Sequence, residues 1–260
     1  MLKKLTIISI TTFIVIGCAT SPLGRKQLTV LPAAQLDTMG TEAFQQLKQQ
    51  TPVETNKGIN RTVKCVADAI VEVSSPNQDW EVVVFRDDTA NAFALPGGKI
   101  GVHTGLLEVA KNQDQLATVI GHEVAHVLAD HSNERVSQDL ALQQGMTLIQ
   151  AVMNPQSQMG QMVMGVLGLG AQFGVILPYS RIQESEADEM GLYFMAKAGF
   201  EPKESVKLWQ NMSQGGGEKP PEFLSTHPSD ETRMARLNQS MNRALQHYQQ
   251  AQASGKKPRC

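Results

Sequence analysis

The sequence predicts an α+β fold, mostly helical, with a small antiparallel sheet. Three observations carry this. Helix-period apolar patterns recur along most of the chain, the few β-rich runs cluster between residues 80 and 103, and no repeat of 20–50 residues is present. The 260 residues are 41% apolar and 18% charged, with a formal net charge of −2. That composition excludes a disordered chain, collagen, a coiled coil and a polytopic membrane protein. It also leaves no basic field to hold nucleic acid. Three cysteines, Cys18, Cys65 and Cys260, are too few for a disulfide-dense scaffold.

Residues 1–17 read as a signal peptide. Lys3 and Lys4 precede an uncharged apolar run from Leu5 to Ile16, too short for a comfortable transmembrane span. Val15-Ile16-Gly17-Cys18 resembles a bacterial lipobox, which makes Cys18 the lipidated first residue of the mature chain. Ala19, not Asp, follows it, which implies delivery to the outer membrane, facing the periplasm. Residues 18–31 contain Pro22 and Gly24, lack periodicity and read as a lipidated tether. Residues 32–249 form the folded domain, and 250–260 a flexible basic tail. In an oxidising compartment Cys65 and Cys260 are free to pair. The alternative for Cys65 is a buried apolar residue on a helix.

Within the domain, Leu36–Gln50 reads as a helix. Asn60–Val73 reads as a second, with Val63, Val66, Ile70 and Val71 on one face. Trp80–Phe85 is a strand, and Phe93–Leu95 and Lys99–His103 flank the turn Pro96-Gly97-Gly98. Asp114–Asp130 is a strong amphipathic helix. Residues 140–180 carry no charge and are rich in Gln, Met and Gly. They read as buried or groove-lining helices; a surface leaning on a membrane or an apolar client is the alternative. Ile182–Ala198, Pro202–Met212 and Glu231–Gln249 are further helices, with a loop over Gln214–Pro221.

Chemistry concentrates in Gly121-His122-Glu123-Val124-Ala125-His126. Two histidines at i and i+4 share a helix face and can grip one ion, while Glu123 projects beside it without ligating. Zinc needs a third protein ligand and, in a catalytic site, an open fourth position. The long pattern HExxHxxGxxH is absent, because Ala129 and Ser132 stand where Gly and His would be. On a continuous helix His131 would point about 140° away from His126. The segment Tyr179–Gly191 offers carboxylates instead. Glu184 and Asp188 share a face and Glu186 lies opposite, so one carboxylate can reach the metal while another orients an imidazole.

HEVAH, then ESEAD, then Thr226-His227-Pro228 with Arg233, resembles the gluzincin metallopeptidase family of HtpX and the CAAX prenyl proteases, in its periplasmic lipoprotein and BepA-like branch. The resemblance covers residues 35–240 and lacks that relative's helical-repeat domain. It implies a zincin-type domain with one Zn2+ held by His122, His126 and Glu184. It implies Glu123 as general base and acid, and Asp188 as the hydrogen-bond partner of His122. His227 falls beside the open metal position, as an oxyanion donor or as a latch that keeps the enzyme latent. Arg233 falls at the active-site wall. Asn91, Phe93 and Ala94 fall on an edge strand that pairs with an extended polypeptide substrate. The expected function is a zinc endopeptidase cleaving unfolded or misassembled envelope proteins by Glu-assisted attack of zinc-bound water. The alternative is an outer-membrane assembly factor or chaperone that binds clients and rarely cleaves.

Overall fold

The computed structural model describes residues 18–153, 177–214, 227 and 232–260. The described residues open with an antiparallel hairpin of β1 (Cys18–Thr20) and β2 (Lys26–Leu28). Helices α1 (Ala33–Gln50) and α2 (Lys57–Ser74) follow. Then come β3 (Glu81–Phe85), β4 (Ala92–Leu95) and β5 (Lys99–His103). A short α3 (Leu106–Val109) leads into α4 (Gln113–Leu128) and α5 (His131–Met153). Helices α6 (Leu177–Ala198), α7 (Glu204–Gln214) and α8 (Thr232–Ala253) complete the described residues. The fold is α+β and mostly helical, as expected. The signal peptide and most of the uncharged segment, residues 154–176, lie outside the described residues, as does most of the loop after α7. Among the described residues no helix is long and apolar enough to cross a membrane.

The helices start where local chemistry starts them. The Asn56 side chain accepts from the backbone N–H of Gly58 and Ile59, so α2 begins before the apolar periodicity does. Asn112 likewise accepts from Gln115 N at the head of α4. The expected antiparallel sheet proves to be mixed. Its order is β3-β5-β4, with β4 antiparallel and β3 parallel to β5. The link from β3 carries the chain to the far edge. The tight turn at Gly97 and Gly98, with φ of +80° and +70°, then returns β5 into the gap. Strand β4 is left at the edge of this sheet.

Helix α4 is buried from Gln115 through His126 on every side, not along one stripe. The sheet, α2, α6 and α7 all pack against it. The core joins Val119, Ile120 and Val124 of α4 to Ile70 of α2, Val102 of β5, Met195 of α6 and Leu208 of α7. Helix α4 stops at Leu128, two residues short of the expected end. Asp130 sits in the left-handed region with φ of 55°, and α5 starts afresh at His131.

Both chain ends differ from expectation. Residues 18–31 are not a loose tether. Gln27 is buried and donates to Ala129 O at 2.6 Å, Val30 N donates to Ser137 Oγ, and Leu31 N to Asn133 Oδ1. The tail is not frayed either. Helix α8 runs to Ala253, and Cys260 is bonded to Cys65 of α2. Thr62 Oγ1 donates to Cys260 O, and Gln113 pairs with Cys260 N and Pro258 O. Neither end has an apolar period, because polar and covalent contacts hold it.

Candidate metal centre

Helix α4 sets His122 and His126 one turn apart, with Nε2 atoms 3.1 Å from each other. Helix α6 crosses α4 with backbones touching at two glycines. A Cβ on Gly191 would lie 2.8 Å from His122 N, and one on Gly121 3.0 Å from Gly191 O. That close approach brings Glu184, two turns earlier on α6, under both imidazoles. Its Oε2 lies 3.3 Å from His122 Nε2 and its Oε1 3.3 Å from His126 Nε2. His227 Nδ1 completes the group, 3.2 Å from His122 Nε2 and 3.0 Å from Glu184 Oε2. Ligand atoms of the four residues all lie within 4.8 Å of one another, and all four residues are buried.

These residues fit zinc. Tetrahedral coordination at Zn–N of about 2.0–2.1 Å separates ligand atoms by about 3.3 Å, close to the distances here. Charge agrees. Among the described residues every buried carboxylate, Glu123, Glu134, Glu184, Glu186 and Asp188, stands in or beside this group. Arg25, Arg135 and Arg233 reach them, and a divalent cation would add to that compensation.

Each α4 imidazole is held from behind. His122 Nδ1 is 3.0 Å from Asp188 Oδ1, and Asp188 also accepts from Arg233 Nη2 at 2.6 Å. The Arg233 guanidinium lies 3.6 Å over the Trp209 ring. A carboxylate only accepts, so His122 Nδ1 carries a proton, and Nε2 is the nitrogen left facing the cluster to ligate when a metal is bound. His126 is backed by a residue expected to point elsewhere. Because α4 ends at Leu128, His131 turns back, and its Nδ1 stands 2.8 Å from His126 Nδ1. His131 Nε2 is 3.2 Å from Glu186 Oε2. Glu186 in turn accepts from Arg25 Nε at 2.9 Å, and Arg25 forks onto Glu134 at 2.6 and 2.8 Å. The sequence reading sets His131 and Glu186 aside as ligands and gives Arg25 and Trp209 no role. A break after α4 without Gly or Pro gave no warning of the first.

Titration follows these contacts. Burial works against charge on His122, but Asp188 and Glu184 outweigh it and raise its pKa to about 9. Burial dominates at His126 and holds it well below the usual imidazole value. Glu184, although buried, is driven far below the carboxylate range by the three histidines. Burial raises Glu186, yet His131, Ser21 and Arg25 bring it down to about 2. In the absence of metal, a proton on His122 supplies part of the positive charge that the cluster requires.

Asn91 lies just before β4, with Phe93 and Ala94 on it. Asn91 O accepts from His103 N. The Phe93 ring packs with Phe44, Phe85 and His103 at centroid distances of 6.0–6.3 Å. Ala92 and Ala94 face the other way, into the core that α4 shares. The Phe93 side chain therefore braces the strand from the α1 side. Among the described residues β4 pairs only with β5, which leaves its other side as a sheet edge.

Peptidase family M48 matches the chain over residues 54–241. The chain belongs to that family. The M48 match begins downstream of the β1–β2 hairpin and α1. The mitochondrial metalloendopeptidase OMA1 of Schizosaccharomyces pombe is 37% identical over 180 residues, covering 68% of this chain and 51% of that protein. The Arabidopsis thaliana OMA1 is 39% identical, covering 67% and 34%. The β-barrel assembly-enhancing protease of Escherichia coli is 27% identical over a longer stretch, covering 86% and 47%. The chain thus spans about half the length of such relatives, or less. The expected kinship with the BepA-like branch is not singled out, since the OMA1 proteins share more identity.

Proposed function

We propose that this chain is a zinc-dependent endopeptidase that cleaves unfolded or misassembled envelope proteins, held by lipid at Cys18 to the periplasmic face of the outer membrane. The observation that carries the catalytic reading is Glu123. Among the described residues its buried Oε1 receives no hydrogen bond; it lies 3.4 Å from His227 Nε2, beside a cluster suited to zinc. A buried carboxylate oxygen left without a hydrogen bond is costly, and a role in proton transfer is a reason for a fold to keep one.

His122, His126 and Glu184 would hold one zinc per chain. When bound, zinc supplies a Lewis acid that brings the pKa of water toward about 7 and polarises a carbonyl. Glu123 Oε1 takes the proton of the attacking water and delivers it to the leaving amine. Asp188 keeps His122 in the ligating tautomer, and Arg233 holds Asp188 in place through its contact with Oδ1. The β4 edge lines up an extended main chain, which suits clients without tertiary structure. His227 points Nδ1 into the cluster, which favours the latch reading over that of a standing oxyanion donor. The compartment and clients draw on three supports: the lipobox-like ending at Cys18, a disulfide suited to an oxidising space, and relatives named for β-barrel assembly and mitochondrial endoproteolysis.

The test is cleavage of casein by the mature chain with zinc, with chelator and as Glu123→Gln. Zinc-dependent cleavage that falls by about 10²–10⁴-fold in the variant is expected. Cleavage by Glu123→Gln at the parent rate would sink the reading. His227→Ala should cleave faster if this residue is a latch and slower if it is a donor. Fractionation should move the protein from membrane to soluble fractions in Cys18→Ser.

A further inference from the structure

We propose that His131, backed by Glu186 and Arg25, is a positioning residue for His126, and that the segment preceding the M48 match is thereby a working part of the metal centre. The inference rests on the zinc reading above and deepens it.

Hydrogen-bond direction carries the argument. Glu186 accepts only, so the contact with His131 Nε2 requires a proton on that nitrogen. His131 Nδ1 is then a lone pair. Facing it at 2.8 Å, His126 Nδ1 must be the donor. The remaining nitrogen of His126, Nε2, is thereby fixed as a lone pair aimed at Glu184 and His122. For neutral rings this is the proton arrangement that runs from Glu186 to His126, and it leaves Nε2 as a metal needs it. The anchor is rigid as well. Arg25 donates Nε to Glu186 and both terminal nitrogens to Glu134, whose side chain is fully buried and also receives Gln183 Nε2. Arg25 is itself fixed by the β1–β2 hairpin, where its backbone N–H donates to Ser21 Oγ and its carbonyl accepts from Ser21 N. His122 and His126 are therefore oriented from opposite sides: a carboxylate and an arginine from the C-terminal half, and a second imidazole tied to the N-terminal hairpin.

The experiment measures zinc affinity by competition with a chromophoric chelator, and the cobalt(II) absorption spectrum, on the full mature chain. Urea unfolding of each metal-free variant runs beside it. His131→Phe, which keeps the ring volume and removes both hydrogen bonds, should bind zinc about 10–100-fold more weakly and alter the cobalt spectrum. His131→Gln, which can still accept from His126 and donate to Glu186, should recover most of the affinity. Arg25→Met and Glu186→Gln should weaken zinc in the same direction by a smaller factor. Affinity within twofold of the parent in His131→Phe, with an unchanged cobalt spectrum, would overturn the inference. Should that variant not fold, unchanged affinity in both Arg25→Met and Glu186→Gln would overturn it equally. A parent chain that fails to bind zinc would instead overturn the zinc reading itself.

Discussion

The two ends of the described residues both lack an apolar period and both pack onto the domain, yet they are fastened by opposite means. Residues 18–31 are held by side-chain ion pairs and hydrogen bonds that run inward to the metal centre: Arg25 to Glu186 and Glu134, and Gln27 to the end of α4. Residues 254–260 are held by a disulfide to α2 and by backbone groups paired with Gln113 and Thr62. The first attachment touches the chemistry. The second only closes the fold.

The largest effect on stability should come from the C-terminal end. The Cys65–Cys260 bond spans 195 residues, and removing it as Cys65→Ser/Cys260→Ser should lower stability by about 3–5 kcal/mol in urea unfolding. Zinc affinity of the folded protein should not change. A loss of affinity would erase the contrast between the ends. Next comes Arg25→Met, which should lower stability by about 2 kcal/mol through unpaired carboxylates and, unlike the disulfide variant, also weaken zinc. Of these two variants, only Arg25→Met should reduce both quantities.

Acid sharpens the same contrast. Glu134 is held below its ordinary value: burial pushes it up, but Arg25 and Gln183 outweigh burial. A depressed folded value means that its contribution is present above the unfolded pKa of about 4.5 and is lost as pH falls through the folded value. The stability gap between parent and Arg25→Met should therefore be widest near neutral pH and narrow below about pH 4.5, while the gap for the disulfide variant stays nearly constant. The smallest effect is Thr62→Val, which removes one hydrogen bond to Cys260 O and should lower stability by about 1 kcal/mol or less.

The difference also explains what could be read beforehand. The α4 and α6 residues of the cluster share helix faces by spacing alone, so His122, His126, Glu184 and Asp188 could be grouped from the sequence. The Lys99–His103 strand could be read to the residue because Pro96-Gly97-Gly98 announces its start. The parallel β3–β5 pairing could not, since nothing local marks which strand a returning hairpin will lie beside. The place of His131 was hidden by a helix that ends at an ordinary Ala-Asp pair, where Asp130 takes a left-handed conformation more typical of glycine. Arg25 was hidden for a different reason. Periodicity reports apolar burial, and the hairpin docks through charge.

One detail of the hairpin has a mechanical consequence. Its first strand begins at Cys18 itself, paired with Leu28. A leash over residues 18–31 would let the domain roam about 45–50 Å from an anchored end. Folded into a ribbon and clamped at Arg25, that length contributes almost no play. With Cys18 lipidated as proposed, the enzyme rides the bilayer as a fixed-height blade. So anchored, it would search by lateral diffusion only a thin sheet of space next to the membrane.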